Sequence, residues 1–594
     1  MKRFLLLIIS VSAGMSLFLA CDDYLDPYEY SLMSRDKVYS ISKYVESMPV
    51  AMYARLPLTT GCTMATASDE AEHVDENNSS QDFNKGIWHA NSSGDNVWSS
   101  CYRGIRTTCD YLDGTDTLTW AQFASNRATY LQHMRALCIG RGEAHFLRAY
   151  YYFELFKRYG EVPLITTRLD IRPDIDYSQF YLAPVKQIVD FIVDECDMVT
   201  SEGKYAISKE QMDVLTENGT KPCPTMYRDT LPTLYDENGP YSNELGRATK
   251  ASAYALKAKA LVYFASPQFN PDNDLSRWKE AAKACKKVID LPASHYALET
   301  NFADIFNRKT AWSKEFLFVR KAAASNTFEK DNYPICCKGG STGICPSQNL
   351  VDAFEYLESP SKAVKFDWDN PTHVANIYNT GKRDPRLFES VYVNNTLFNS
   401  ATINVHTLQI YAGGNCDPSQ YQASRTGYYL RKYIDPALDL NNNNRTSAKT
   451  WVLMRMADFY LFYAECMNEA YGPDSDPDNL GMTAREAINQ VRSRAKMPDI
   501  EASTQSEFRE KVHNERFVEL AFENHRWYDV RRWMQGDEFL GGNLYGVDIK
   551  KEGSAFSYEK KLVENRVYNQ SKMKFYVINP TELKGIGTIM TEDQ

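Results

Sequence analysis

The chain has 594 residues, of which 43% are hydrophobic and 24% charged, so its composition is close to that of ordinary globular proteins and it can bury a large core. The formal net charge is −10 at pH 7, and the sequence contains no run of lysine and arginine. Because phosphate contacts require clustered basic side chains, this composition argues against nucleic acid as a partner. Aromatic residues make up 13% of the chain, and exposed aromatic rings can stack on sugars.

The N-terminus has the pattern of a secretory signal. Two basic residues precede an apolar stretch that ends directly before Cys21 and is short for a membrane-spanning helix, which needs roughly 20 apolar residues. A cut before a cysteine indicates a bacterial lipoprotein, with Cys21 as the lipidated residue. The alternative is an ordinary cleaved signal followed by an unrelated cysteine, since Leu19 is one position away from the usual lipobox leucine. We predict a signal peptide at 1–20 and a lipidated tether at 21–33.

Twelve further cysteines are scattered along the mature chain. They form no C-x-x-C motif, and there is no H-E-x-x-H motif, so the sequence predicts neither a metal site nor a cofactor. Cys336 and Cys337 are adjacent, and neighbours rarely bridge each other. We expect most of these thiols to be buried as small hydrophobic groups, and an isolated disulfide, such as one involving Cys345, stays open as an alternative.

Hydrophobic residues spaced three and four apart predict a series of helices. The first begins at its N-cap Ser34, and Ser276 is the predicted cap of a later helix. Most of the helices form consecutive pairs. The predicted pairs are 141–159 with 184–199, 249–265 with 276–290, and 452–471 with 483–496.

Residues at the helix ends support these assignments. Gly160 terminates the first helix of the first pair. Thr483 with Glu486 forms a capping box, and Thr504 with Glu507 forms another that opens one more helix. Paired helices with aromatic and alanine-rich contact faces are typical of tetratricopeptide-like packing, although the intervals here are irregular.

Two stretches are dominated by turn signals. The stretch 295–450 contains glycine pairs, an asparagine run and short β-like pieces such as 390–393, and the sequence after Gly541 is similarly irregular. We therefore predict a mostly α fold, a tetratricopeptide-like helix-pair superhelix with a loop-rich, partly β face that binds ligand. The predicted boundaries are a single domain at 34–594, with a helical scaffold at about 34–294 and 451–540 and loop-rich insertions at about 295–450 and 541–594.

Four segments resemble the SusD/RagB proteins, the lipoprotein partners of TonB-dependent transporters in Bacteroidota. They are CDDYLD at the lipid site (21–26), WSSCYRGIR (98–106), the stretch 141–164 beginning RGEAHFLRAYYYF, and ERFVELAFENHRWYDVRRW (515–533). They occur in the family's order and span nearly the whole mature chain. The acidic residues after the lipid site resemble the surface-export signal of Bacteroidota lipoproteins.

This resemblance implies a non-catalytic protein that captures a glycan and delivers it to a SusC-like TonB-dependent transporter. It implies a location at the outer membrane, lipid-anchored and facing the cell surface. The motifs themselves are expected to be structural. Arg516 and Glu519 lie one helical turn apart and are expected to pair with each other, while Trp527 and Trp533 are expected to pack against the scaffold.

Candidate glycan-binding residues lie in loops that combine aromatic and polar side chains. The stretch 66–98, which the resemblance places near the ligand face, provides the first group, and the loops after the helix 276–290 provide the second. The candidates are Asp69, Trp88, Asn91, Trp98, Tyr296, Trp312 and Tyr333. For Trp88 the alternative is a core anchor of the loop, and for Trp98 a place in the core is favoured.

Two acidic runs, 69–76 and 474–478, could suggest calcium. Neither fits the EF-hand loop, because the glycine at its sixth position is missing, so both are predicted to be solvated surface.

Three other functions compete with glycan capture. A RagB-like member of the same family would bind peptides, and a structural lipoprotein would carry a degenerate site. An extracellular glycosidase would need two carboxylates about 5 to 10 Å apart, which a sequence cannot display.

Overall fold

The computed structural model describes residues 33–56, 62–90, 92, 94–169, 180–200, 211, 245–306, 313–398, 406–440 and 445–583. The predicted signal peptide and Cys21 lie outside these residues, as does the tether except for Met33. Within the described residues, none of the helices is long and apolar enough to cross a membrane.

Helices are the most abundant regular element of the described chain. The scaffold helices are α1 (Arg35–Tyr39), α2 (Ser42–Tyr53), α3 (Trp98–Thr115), α4 (Arg127–Tyr159), α5 (Val185–Thr200), α6 (Lys250–Ala265), α7 (Leu275–Ile289), α8 (Met456–Tyr471), α9 (Ala484–Arg494), α10 (Gln505–Glu519) and α11 (Arg526–Arg532). Shorter helices are Gln81–Asn84, Phe302–Phe306, Thr327–Asn332, Gln348–Ala353, Pro371–Ala375, Arg386–Ser390, Gly536–Phe539 and Gln570–Met573, with 3-10 turns at Ala65–Ala67 and Ala121–Phe123.

Most scaffold helices pack on the next one along the chain. Helix α3 packs on α4, and the series continues through α5, α6 and α7 to α8, which contacts both α9 and α10. The close approach of α6 to its neighbours is possible because its alanines, such as Ala251, Ala255 and Ala258, are fully buried. This succession confirms the predicted tetratricopeptide-like helical fold.

Helix ends agree with the sequence signals in most places. Both predicted capping boxes are formed, and Gly160 ends α4 with a positive φ of 73°. Two details differ. Helix α4 starts well before the predicted residue 141, because the Asn126 side chain accepts a hydrogen bond from the Thr129 amide and caps it. Asp274, rather than Ser276, caps α7.

The strands are short or form isolated pairs. They include β1 (Ala71–His73), β2 (Phe316–Ser325), β3 (Ile344–Pro346), β4 (Ser447–Arg455), β5 (Gly542–Glu552) and β6 (Ala555–Arg566), where β1 pairs with β3, β2 with β4, and β5 with β6, all antiparallel. The remaining pairs are Val162–Pro163 with Leu182–Ala183, Tyr356–Ser359 with Lys362–Val364, Val391–Tyr392 with Tyr429–Leu430, and Leu397–Phe398 with His406–Thr407.

Two stretches are more regular than predicted. Residues 452–455 belong to strand β4 and not to the following helix, because the β-branched and aromatic residues before Met456 pair with β2. The sequence after Gly541 forms the long hairpin β5–β6, whose turn contains Gly553 at a positive φ of 64°.

Buried ion pairs join the scaffold to the loop-rich half. The carboxylate of Glu519 in α10 accepts hydrogen bonds from Arg386 at 2.8 Å, from Arg455 at 2.7 Å and from Arg494. Burial alone would raise the pKa of Glu519, but these three guanidinium groups hold it well below its usual range. All four side chains are nearly or fully inaccessible to solvent.

The expected pair between Arg516 and Glu519 does not form. Arg516 instead donates to Asp458 in α8 at 2.9 Å and to Asp529 in α11 at 2.9 Å. Both residues face buried partners from other elements, which compete better for them than a neighbour one turn away. Trp527 and Trp533 are buried in the scaffold core, as predicted.

Most cysteines of the described chain are free and buried, as predicted, but two of them form a disulfide. Cys336 and Cys416 form a disulfide, whereas Cys345 is a free thiol. The other free cysteines of the described chain are also buried, as small core residues.

Removing the carboxylate of Glu519 should strongly destabilise the protein. In a Glu519→Ala variant three buried guanidinium groups lose their shared partner, so we expect the free energy of unfolding to fall by about 3–5 kcal/mol. Chemical denaturation followed by circular dichroism measures this. The matched control is Glu559→Ala on β6, whose pair with Lys550 is exposed and should leave the midpoint almost unchanged. Equal effects of the two substitutions would contradict the account.

Candidate functional site

The segment 62–90 forms one wall of a surface cleft. Strand β1 within it pairs with β3, with Ala71 opposite Pro346 and His73 opposite Ile344. Gly343, directly before β3, has a positive φ of 51°, and a Cβ atom there would lie 2.3 Å from the carbonyl oxygen of Asp331. Only glycine fits this contact, which brings the loop before β3 against the helix Thr327–Asn332.

Buried acidic residues fix this wall to the scaffold. Asp69 accepts two hydrogen bonds of 2.8 Å from Arg526 in α11. Glu72 accepts one of 2.8 Å from Arg566 in β6 and one of 3.1 Å from Gln81. The prediction that the run 69–76 is solvated surface is therefore wrong for its first half, which long-range arginine partners draw into the interior.

Glu70 lies in the same wall, and none of the described basic side chains forms a hydrogen bond with it. It is buried, and it accepts a hydrogen bond of 3.0 Å from the Phe522 amide. Burial raises the pKa of its carboxyl to about 8. Burial also raises the pKa of Glu72, to about 7. Glu70 thus gives the wall a carboxyl group that the fold favours in its neutral form, whereas the contact with Arg566 opposes neutralisation of Glu72.

The cleft has a volume of about 240 Å³ and lies between two loops. One side is the segment 62–94 and the other is 328–344. The residues that line the cleft include Thr63, His73, Asn78, Ser79, Phe328 and Asp331. Its depth is limited by Met64, whose amide donates to the Asn524 side chain at 2.9 Å, next to the motif helix α11.

The lining offers both donors and acceptors. The Nδ1 atom of His73 accepts from the Asp75 amide at 3.1 Å, so the neutral ring carries its proton on Nε2, and burial lowers the pKa of this histidine. The Thr63 and Ser79 hydroxyls and the Asp331 carboxylate make no side-chain hydrogen bond within the described part of the chain. Such groups can exchange hydrogen bonds with the hydroxyls of a bound ligand.

Four of the predicted binding residues are buried elsewhere. Trp98 packs edge-on against Tyr159 at 5.1 Å, and Tyr296 lies in the same helical core. Tyr333 is fully buried and donates its hydroxyl to the Leu438 carbonyl at 3.2 Å. With Asp69 held by Arg526, none of these four presents a free face to a ligand, and the sequence-based assignment of them is corrected to structural roles.

Of the other three predicted binding residues, the structure describes one, Trp88. Trp88 is half-buried and packs against Tyr576 at 4.6 Å and Phe83 at 5.1 Å, with the Arg531 guanidinium 5.7 Å from its ring, so it anchors the loop. Asn91 and Trp312 lie outside the described residues.

Sequence reasoning found the loop but missed the residues that line the cleft. Thr63, Asn78 and Ser79 are small polar residues of a kind common in every loop, so nothing in the local pattern distinguishes them. Asp331 lies in the short helix Thr327–Asn332, far along the chain from His73, and the β1–β3 pairing brings both residues to the same cleft.

The second acidic run behaves as predicted. Asp474 and Asp478 are exposed, and they pair with Arg485 and Lys283 at 2.6 and 2.8 Å. Within the described residues, no group of three or more acidic, histidine or cysteine side chains is arranged to hold a metal ion.

Two family models match this chain. The model described as the SusD family matches residues 312–584, and the one described as starch-binding associating with outer membrane matches residues 23–218. Together they cover both walls of the cleft, the motif helices and the scaffold helices other than α6 and α7.

Curated relatives come from Formosa agariphila. SusD-like protein P2 is 25% identical over 68% of this chain, and SusD-like protein P25 is 25% identical over 51% of it. The matches span 66% and 52% of the lengths of these two relatives, which is less than two thirds.

Solved structures share the fold. A SusD-like protein of Bacteroides fragilis superimposes with a TM-score of 0.69 at 24% identity, covering 93% of this chain and 97% of its own. A SusD-like carbohydrate-binding protein of the same species gives 0.69 at 21% identity, covering 92% and 99%. Surface glycan-binding protein A of Bacteroides fluxus gives 0.58 at 18% identity, covering 93% and 98%.

Replacing Glu70 by glutamine should change how stability depends on pH. The folded-state pKa of about 8 lies above the ordinary value of 4.5, so the neutral carboxyl supports the fold fully below pH 4.5, and this support is lost as pH rises through 8. We expect Glu70→Gln to melt near the wild type at pH 5 and clearly above it at pH 9. Thermal melts across this range measure the difference. The exposed Glu76→Gln serves as control, and parallel curves for Glu70→Gln and the wild type would contradict the assignment.

Proposed function

The chain belongs to the SusD/RagB family, and from this we propose that it captures a glycan in the cleft between 62–94 and 328–344 without cleaving it. The observation that carries the proposal is the cleft itself, whose lining combines hydroxyls, a histidine and one carboxylate with the apolar side chains of Phe83, Phe328 and Ile344. This mixture suits sugars, whose C–H faces are apolar and whose rims carry hydroxyls.

The cleft is small for its role. Its 240 Å³ lies below the roughly 300–1,000 Å³ typical of pockets for drug-sized ligands. It therefore suits a terminal or branching sugar more than a long stretch of chain. Weak binding by each such site, in the micromolar to millimolar range, is consistent with a protein that must release its cargo.

We propose binding rather than hydrolysis for a chemical reason. Glycosidases place two carboxylates about 5 to 10 Å apart on either side of the scissile bond. Among the described residues that line the cleft, Asp331 is the one carboxylate. Its pKa is raised by burial, and it is suited to accepting hydrogen bonds from sugar hydroxyls once ionised.

Delivery to a SusC-like TonB-dependent transporter completes the proposed role. The protein would be held at the outer membrane by a lipid on Cys21 and would face the cell surface. One of the two matching family models carries a description that associates it with the outer membrane, and this supports the location.

Blocking the cleft should abolish capture. Ser79 is exposed on the cleft wall, so Ser79→Trp places a large ring in the cleft at little cost to folding. Calorimetric titration of lipid-free protein against neutral and acidic polysaccharides, mucin glycans and peptides identifies the ligand of the wild type. We expect Ser79→Trp to bind that glycan at least about tenfold more weakly, a loss of roughly 1.4 kcal/mol.

The matched control for this experiment is Ser475→Trp, in the exposed acidic loop 474–478. It should bind as the wild type does. Undiminished binding by Ser79→Trp would remove the cleft as the site, and sugar release found by chromatography of the titrated mixture would replace binding by hydrolysis. Heat with peptides alone would favour a RagB-like cargo.

Lipidation makes a separate prediction. Cells expressing the full chain should incorporate labelled palmitate into the protein and retain it in the membrane fraction, and a Cys21→Ala variant should lose both properties because its acylated thiol is gone. Unlabelled wild-type protein would show that the N-terminus is an ordinary cleaved signal.

A further inference from the structure

Tyr421 is the most exposed large hydrophobic side chain of the described chain. Its exposed fraction is 86%, whereas the next tyrosine in this respect, Tyr44 on α2, is 41% exposed. Single exposed apolar residues are common on protein surfaces and need no explanation by themselves. The surroundings of Tyr421 make it different, because the loop that carries it is held in place at several points.

The loop 411–425 is fixed by covalent and polar contacts. Cys416 is bonded to Cys336. The Asp417 carboxylate accepts from the Gly413 amide at 2.6 Å and from the Ser419 amide at 2.8 Å. An exposed ring on a loop restrained in this way loses little conformational entropy when it binds a partner.

The same loop is attached to both walls of the cleft. The Gln422 carbonyl accepts from the Thr342 hydroxyl at 2.6 Å, and Thr342 precedes the lining residue Gly343. On the other side, the Arg425 guanidinium donates to the carbonyl of the lining residue His73 at 3.5 Å. Adding ordinary bond lengths along the first path places the Tyr421 Cα atom no more than roughly 15 Å from that of Gly343.

The charge around the cleft restricts the ligand class. Asp331 lines the cleft, and the exposed Asp75 and Glu76 follow the lining residue His73 by two and three positions in the chain. Arg425, which reaches this wall, is already paired with Glu72 at 3.3 Å and Glu76 at 3.1 Å. A sulfated or uronic-acid-rich glycan would meet repulsion here, while an uncharged sugar would not.

We infer that the Tyr421 ring is an outer stacking subsite for an uncharged glycan whose terminal sugar occupies the cleft. The inference rests on the proposed function and extends it from one sugar to an oligosaccharide that leaves the cleft across the 411–425 loop. The ring provides a flat apolar face, and Gln420 is exposed beside it, with its amide donating to the Asn415 carbonyl at 3.2 Å.

Affinity measurements on three variants test this subsite. With a neutral oligosaccharide that the wild type binds, Tyr421→Ala should bind roughly five- to tenfold more weakly, the size of effect expected from one lost aromatic contact. Tyr421→Phe keeps the ring and should bind within about twofold of the wild type. The control Tyr44→Ala removes an exposed tyrosine from α2 and should change nothing.

A second measurement tests the anchoring of the loop. The double variant Cys336→Ser with Cys416→Ser should fold, as judged by its melting transition, and should also bind more weakly, because the platform is then less ordered before binding. The monosaccharide corresponding to the terminal unit should bind the wild type and Tyr421→Ala equally, since it does not reach the ring.

The outcomes separate this inference from the proposed function. If the wild type binds neutral glycans and Tyr421→Ala binds them equally well, the subsite is overturned while the cleft stands. If the wild type prefers sulfated or uronic glycans, the assigned ligand class is wrong. If it binds no glycan, both the proposed function and the subsite are overturned.

Discussion

The structure depends on a set of buried arginine–carboxylate pairs centred on the segment 515–532. Glu519 gathers three guanidinium groups from distant parts of the chain, and Arg516 joins α8 to α11 through Asp458 and Asp529. Each charge removed from water must find its partner in good geometry, because an unpaired buried charge is far more costly than the pair is stabilising. The motif thereby specifies how the helical scaffold meets the loop-rich half.

The same constraint positions the cleft. Arg526, in the motif helix α11, holds Asp69, and Arg566 in β6 holds Glu72, so that the wall 62–90 is fixed from both sides. The residues that resemble the family most specifically therefore act at a distance from the ligand, and they orient a surface whose own residues are ordinary.

The sequence predicted the helices well and the site only in outline. Helix periodicity and caps such as Thr483 with Glu486 are local signals, so they can be recognised without knowing which distant residues the helix contacts. Pairs such as Asp69 with Arg526 join residues that are far apart in the chain, and no local sequence pattern predicts such pairs. Composition cannot separate a buried ring from an exposed one. The sequence therefore predicts stacking roles for Tyr296 and Tyr333, although both rings are buried. Tyr421, which is exposed, lies in a stretch without any distinguishing motif.

The most direct test of the central claim, capture of an uncut glycan in the cleft between 62–94 and 328–344, is a crystal structure of the mature protein soaked with the oligosaccharide that it binds. We expect electron density for an intact oligosaccharide whose terminal sugar contacts His73 and Asp331. Density for a ligand seated elsewhere on the protein, or for a cleaved product, would contradict it.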